Sequence, residues 1–287
     1  MESYRAGWKR LTPSLGSLRL QSLTPLAIQT AFDALRGTHA PKSIRVSYSV
    51  LHNPLGQAVK WEILTRNPSS RMVLPPANPR AQRQVWSVTE ARQFLAKTED
   101  HDWHSLWRLL LDTRMRHGEA LSLRWQHVDI DSDRPLIRIV CTLMHEHGTW
   151  AIGTSTKSER GRRVVHLRPA TAAALRVHRD NQTARQAQFG PHWADHDLVF
   201  DRGDGGIFHP AKVRDSLISG CVQAGVPKIS PHALRHTMAT PAAQRGVPLK
   251  LLADRLGYPG ADLVSTLYAH ATDDGDLAVL EAMRDVL

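Results

Sequence analysis

One stretch of the sequence, 231–270, combines side chains that could bind a phosphate with one that could attack it. His232, Arg235 and His236 follow a proline at the spacing i, i+3 and i+4, which places them on one face of a helix that starts there. Tyr268 lies downstream and offers a phenol as a nucleophile. Cationic and proton-carrying groups beside a phenol are what a site needs to hold a phosphodiester and attack it. We assign His236 a structural role and keep the other three as site residues.

Between the histidine-arginine group and the tyrosine, the sequence predicts an amphipathic helix over 249–256. Gly257 follows its last apolar residue, in the position where glycine commonly ends a helix. This helix would separate the two halves of the candidate site.

The whole stretch resembles the C-terminal motif of the tyrosine recombinases, the phage integrase family. Their pattern reads H-x-L-R-H-T, then L-G-H or L-G-W, then a nucleophilic tyrosine in a Y-x-H context. The sequence has H-A-L-R-H-T at 232–237, L-G at 256–257 and Y-A-H at 268–270. Tyr258 stands where relatives carry His or Trp. Its phenol could still donate a hydrogen bond to phosphate, so it is included among the site residues.

Two further segments match the same family. T-R-M-R-H-G-E-A-L at 113–121 resembles T-G-L-R-x-G-E-L, with Arg116 in the place of the catalytic arginine and Glu119 as the following acid. Arg114 replaces the usual glycine, which matters if the backbone there needs a positive φ. Lys157 matches the lysine of a T-K-[ST] turn between two short strands.

The resemblance implies a mechanism and a partner. Arg116 and Arg235 would clamp the non-bridging phosphate oxygens with help from His232, and Tyr268 would attack to form a 3′-phosphotyrosine. Lys157 would protonate the departing 5′-oxygen. The implied partner is double-stranded DNA at specific recombination sites, bound by a homotetramer. No metal, other cofactor or small-molecule substrate is implied.

The composition is compatible with such a partner. The 287 residues carry 37 Lys and Arg against 27 Asp and Glu, a formal net charge of +10, which suits a polyanion. No apolar run is long enough to span a membrane, and the N-terminus lacks the apolar region of a secretory signal. Two cysteines form neither a disulfide framework nor a zinc cluster, which makes a reducing cytoplasm the expected location.

The expected fold class is mainly α (α+β). It comprises a helical core-binding, DNA-binding domain at 1–74, a linker at 75–86 and a mostly helical catalytic domain with a small antiparallel β-sheet at 87–287. The N-terminal domain resembles the core-binding domain of integrases with its usual first helix missing. Short β runs are expected at 137–140 and 164–167, and the predicted helices are 25–36, 41–61, 88–97, 103–114, 169–188, 210–224 and 276–286.

Three alternatives remain open from the sequence. A degenerate integrase would bind DNA without cutting it, as suggested by the missing front helix, by Arg114, and by Pro54 and Pro241 inside helices. A type IB topoisomerase would use similar residues without choosing a site. A structural protein that does not bind DNA is the most distant alternative.

Two histidine groups look like metal ligands but lack the helical i, i+4 spacing with a third ligand. They are His101 with His104, and the triplet 145–147. We therefore expect both groups to lie at the surface.

Overall fold

The structure, a computed structural model, is mainly α-helical with small antiparallel sheets, as predicted. It describes residues 2–76, 84–146, 148–153, 162–237 and 248–256. The chain divides into two compact units, 1–83 and 84–287.

The N-terminal unit is helical and has its own apolar core. The second helix begins as predicted, because the hydroxyl of Thr24 accepts a hydrogen bond from the amide of Ala27 at 3.2 Å and Pro25 occupies the first helical position. The helices are α1 (Glu2–Leu15), α2 (Pro25–Arg36) and α3 (Pro41–Lys60).

Helix α1 was not among the predicted helices. It packs against α3 through a narrow stripe, in which Gly7, Leu11 and Leu15 are buried at the spacing i, i+4, i+8. Only two of these residues are strongly apolar, and Pro13 lies inside the helix. The hydrophobic period that usually reveals a helix is therefore weak in this segment.

Helix α3 runs through Pro54 without interruption. Pro54 is exposed, so its ring lies on the solvent side of the helix. The proline is thus accommodated within the helix.

The second unit contains the remaining helices and all the strands of the described chain. Helix α4 starts with the predicted capping box: the Ser87 hydroxyl accepts from the amide of Glu90, whose carboxylate accepts from the amide of Ser87. The helices are α4 (Val88–Lys97), α5 (His104–Thr113), α6 (His117–Ala120), α7 (Pro169–Phe189), α8 (Pro210–Ala224), α9 (Pro231–Thr237) and α10 (Leu249–Leu256).

The strands form two antiparallel sheets. The two predicted β runs pair directly, with Ile137 opposite Val165. The hairpin β3–β4 was not predicted; its strands are short and carry polar residues on both faces. The strands are β1 (Val128–Asp129), β2 (Leu136–Ile139), β3 (Thr142–Glu146), β4 (Thr149–Gly153) and β5 (Arg163–His166), with sheet orders β1-β2-β5 and β3-β4.

Helix α5 lies at the centre of the second unit's core and supports the elements that carry the candidate site. Leu106, Trp107, Leu109 and Leu110 are buried on it, as the sequence predicted. It packs against α4, α6, α7 and α9. Among the described residues, no helix is both long and apolar enough to cross a bilayer.

Candidate active site

The turn after α5 brings the first candidate residue out of the core. Arg114 caps the helix in the left-handed conformation, with φ 57° and ψ 24°, and its amide donates to the carbonyl of Leu110 at 3.0 Å. The position therefore does need the positive φ for which glycine is the usual residue. A non-glycine residue in this conformation costs about 1 kcal/mol, which the buried turn tolerates.

Arg116 comes two residues later, at the N-cap of α6. Its amide donates to Oε2 of Glu119 at 2.8 Å, and its Nη1 donates to Oε1 of the same carboxylate at 2.7 Å. One carboxylate thus fixes both the backbone and the guanidinium of Arg116. The side chain remains 44% exposed, so the guanidinium can still reach a ligand.

The carboxylate of Glu119 is buried, with a side chain that is only 1% exposed. Both Nη atoms of Arg163 donate to it, at 3.3 and 2.9 Å. Burial raises the pKa of this carboxyl, but hydrogen bonds and charge from Arg163, and then from Arg116, outweigh that effect and hold the pKa below its usual value. Glu119 is therefore ionised between two arginines at neutral pH.

Helix α9 carries the predicted H-x-L-R-H segment. The Ser230 hydroxyl accepts from the amide of Ala233 at 3.1 Å, which caps the start of the helix. His232 is exposed, whereas Arg235 is only 2% exposed. The two residues therefore differ in depth although they are three positions apart.

Helix α9 is held in the same unit as Arg116. It packs on α5 and α8, and the Thr237 hydroxyl accepts from the amide of Trp86 at 3.3 Å. The indole of Trp86 in turn donates to the carbonyl of Pro227 at 2.7 Å. Arg116, His232 and Arg235 are thus all carried by elements next to α5.

Helix α10 is tied to the end of α5 and to β5 by an arginine in its last turn. Nη2 of Arg255 donates to the carbonyls of Asp112 and His166, at 3.1 and 3.3 Å. The buried carboxylate of Asp112 accepts from the amide of Arg168 at 2.8 Å and pairs with its guanidinium at 3.2 Å. The bonds of Arg255 fasten α10 to the second unit, and Tyr258 follows two residues after the end of the helix in the sequence.

Three of the predicted site residues, Lys157, Tyr258 and Tyr268, lie outside the described residues. Pro241 and the predicted terminal helix at 276–286 also fall there. The site that the structure describes is therefore the half made of Arg116, His232 and Arg235.

Residues Asp112, Arg163, Arg168 and Arg255 join this half of the site through hydrogen bonds and were not identified from the sequence. A signal existed for Arg163, because strand alternation places it on the same face as Val165, which is in the core. An arginine on the buried face of a strand needs a buried acid, and Glu119 is that acid.

The histidine prediction was wrong for His104, which is buried. Its Nδ1 donates to the carbonyl of Thr98 at 3.1 Å, and its Nε2 accepts from Nε of Arg108 at 3.2 Å. His145 is exposed as expected, and His147 lies outside the described residues. Within the described ranges, no group of histidine, cysteine and carboxylate side chains could hold a metal ion.

Comparison with known proteins identifies the class. The model of the phage integrase family matches residues 85–274, and the chain therefore belongs to this family. Site-specific recombination of DNA is the function that this membership supports.

Individual relatives have low sequence identity to the chain but match most of its length. The chain is 24% identical, over 95% of its length and 73% of the relative, to a tyrosine recombinase XerC-like protein of Caldanaerobacter subterraneus subsp. tengcongensis. It is 28% identical to the integrase of Mycobacterium phage FRAT1, over 87% of this chain and 72% of that protein.

Solved structures share the fold. The Tn1549 transposon integrase, in complex with transposon right end DNA, superposes with a TM-score of 0.80 at 18% identity, over 98% of this chain and 93% of that one. The XerH site-specific recombinase, bound to a palindromic difH substrate, gives a TM-score of 0.70 at 15% identity, over 99% and 79%.

Proposed function

We propose that this chain cuts and rejoins double-stranded DNA at specific recombination sites, using the phenol of Tyr268 as the nucleophile. The observation that carries the proposal is the anchoring of Arg116. A buried, ionised carboxylate holds its guanidinium in place while almost half of the side chain stays exposed. A fixed, accessible guanidinium is suited to bind a phosphate oxygen as charge develops on it.

The reaction in this proposal proceeds by direct phosphoryl transfer. Arg116 and Arg235 neutralise the non-bridging oxygens, and His232 and Tyr258 donate further hydrogen bonds to the phosphate. The phenol of Tyr268 loses its proton to solvent as its oxygen bonds to phosphorus, and the bond to the 5′-oxygen breaks, which leaves a 3′-phosphotyrosine. Lys157 gives its proton to the departing 5′-oxygen.

The reverse of this step reseals a strand. A 5′-hydroxyl from a partner strand attacks the phosphotyrosine and releases Tyr268. The covalent bond conserves the energy of the broken linkage, so the proposed reaction requires neither ATP nor a metal ion.

The proposal includes a homotetramer on DNA, in which each protomer cuts one strand. It places the enzyme in the cytoplasm, where the DNA of bacteria and of their phages is found.

The alternative of a degenerate integrase is not better supported than a recombinase. Helix α1 stands in front of the helices first expected, Arg114 adopts the positive φ of the replaced glycine, and α3 continues through Pro54. Pro241 lies outside the described residues. No described feature favours a topoisomerase over a recombinase.

The experiment that tests the proposal detects the covalent adduct. The protein and its Tyr268→Phe variant are incubated with nicked duplexes that span the flanks of the gene, and the products are separated on a denaturing gel. We expect an adduct with the parent and none with Tyr268→Phe, while Tyr4→Phe, a matched loss of one hydroxyl at an exposed position, still forms it. If the parent shifts DNA on a native gel but forms no adduct, the chain binds DNA without cutting it.

A further inference from the structure

Arg163 lies at the start of β5 with its guanidinium turned into the protein. Its side chain is only 7% exposed, and its strand pairs with β2 opposite Ile139. Val165, two positions along the strand, belongs to the core. Burying a charged arginine in this way costs free energy unless its N–H groups form hydrogen bonds within the protein.

The donors of Arg163 are used in two directions. Nη1 and Nη2 face the two oxygens of Glu119, at 3.3 and 2.9 Å, in the forked arrangement that suits a guanidinium and a carboxylate. Nε donates at 3.0 Å to the carbonyl of Arg255. That carbonyl lies in the last turn of α10, where carbonyls have no partner within the helix.

Glu119 completes the connection to Arg116. Its Oε1 and Oε2 accept from Nη1 and from the backbone amide of Arg116, at 2.7 and 2.8 Å. The same two oxygens therefore hold Arg163 on the buried side and Arg116 on the exposed side. A continuous set of hydrogen bonds runs from the exposed guanidinium of Arg116 to the end of α10.

We propose that Arg163 is a positioning residue that fixes Arg116, through Glu119, relative to the end of α10. The proposal rests on the proposed recombinase function for its catalytic consequence. Arg116 must contact the phosphate that Tyr268 attacks, and misplacement by about 1 Å can cost roughly 100-fold in rate. The bridge through Glu119 therefore helps to set where the guanidinium of Arg116 stands relative to α10.

A lysine cannot replace Arg163 in this role. Its ammonium is a single point, whereas the planar guanidinium reaches both oxygens of Glu119 and the carbonyl of Arg255 at once. Arg163→Lys keeps the charge and removes the geometry. It is therefore the variant that separates positioning from simple charge balance.

The first measurement is the single-turnover rate of adduct formation on a nicked duplex. We expect Arg163→Lys to lower it by about 10- to 100-fold, with DNA affinity on a native gel within about twofold of the parent. Arg214→Lys, an exposed arginine of the same unit, serves as the matched control and keeps the parent rate. A parent-like rate in Arg163→Lys would refute the proposal.

Two further readouts distinguish positioning from a general loss of stability. Weaker pairing raises the pKa of Glu119, so the acid limb of the pH–rate profile moves to higher pH in Arg163→Lys. Glu119→Gln breaks the same connection, and the double variant should lose no more rate than the worse single variant. An unmoved acid limb or additive losses would assign Arg163 to stability alone.

Hydrogen–deuterium exchange tests the connection without relying on catalysis. Arg163→Lys should speed exchange in 249–256 and 116–121 and leave 25–60 unchanged. Unchanged exchange in both segments would overturn the bridge even if the parent is active. Faster exchange in Arg163→Lys, together with a parent that forms no adduct, would retain the bridge and refute the recombinase proposal. If Arg163→Lys fails to fold, the exchange and rate of Glu119→Gln give the same decision.

Discussion

The guanidinium of Arg116 is bonded to Glu119 but is still accessible to a ligand. A substitution there should therefore affect the rate of catalysis more than the stability of the fold. Arg116→Lys should lower the rate of adduct formation by about 100-fold, because a point charge cannot both bond Glu119 and reach a phosphate oxygen. Unfolding temperature should change little, since the side chain is 44% exposed. The measurement pairs a single-turnover assay with thermal unfolding. Arg214→Lys, also exposed, should match the parent in both, and an undiminished rate in Arg116→Lys would remove it from the site.

His104 predicts a pH dependence of stability. Burial, and then the charge of Arg108, lower the pKa of this imidazole, because its Nε2 faces the guanidinium and can only accept. Below about pH 6.5 the unfolded chain therefore binds more protons than the folded one, and the free energy of unfolding falls as the pH drops.

Urea denaturation between pH 7.5 and 5.5 measures this effect. His104→Gln should reduce the loss of stability on acidification, since its amide cannot take up a proton. His192→Gln, at an exposed position, should retain the parent's slope. Identical slopes for all three proteins would show that His104 does not titrate on unfolding.

At the residue scale, the sequence supplied candidates for the site but not the contacts that hold them. The motif spacing selected Arg116, His232 and Arg235 as candidates, and the Gly-to-Arg change raised the question of φ at Arg114. The hydrogen-bond partners of Arg163 could not be predicted from the sequence. They join β5 to residues far away in sequence, and only the folded contacts reveal such pairs.

At the scale of elements, the close packing of α1 on α3 depends on one glycine. A Cβ at Gly7 would lie 2.9 Å from Cγ2 of Val50 and 3.4 Å from Cα of Ser47. Alanine favours a helix over glycine by about 1 kcal/mol, but overpacking costs about 1–3 kcal/mol. We therefore expect Gly7→Ala to destabilise the protein in chemical denaturation.

A double-mutant cycle checks the cause. In a Val50→Ala background the contacting methyl is gone, so Gly7→Ala should become neutral or stabilising. Equal destabilisation in both backgrounds would place the origin elsewhere. A stabilised Gly7→Ala single variant would contradict the close approach itself.

Elements with strong local signals were predicted well, and those with weak signals were not. The bounds of α2, α4 and α8 were correct because caps and glycine stops marked them. Helix α1 has a stripe only one side chain wide, and the hairpin β3–β4 has no clean alternation. Their stability comes from packing in the folded unit, which local patterns do not record.

At the scale of the whole molecule, two cores divide the chain into units. Leu11, Ile28 and Leu51 belong to one cluster, and Trp107, Val165 and Leu217 to another. The two units divide between residues 83 and 84, within the stretch 75–86 that the sequence analysis assigned to a linker. The division into two units can be predicted from composition and spacing, because each unit must bury its own apolar residues.

The net charge of +10 makes a final prediction about DNA binding as a whole. If the chain encloses a duplex, it displaces counterions from several phosphates, and affinity should fall by about 10³- to 10⁵-fold between 50 and 200 mM salt for 6–10 contacts. Fluorescence anisotropy with a labelled duplex measures the slope of log K against log salt. Arg116→Gln should reduce the slope by about 1, whereas Arg116→Lys keeps the charge and the slope. Arg116→Lys would then bind DNA as the parent does and cut it more slowly, which separates the electrostatic role of this residue from its geometric one. A flat salt dependence would instead favour a protein that does not act on DNA.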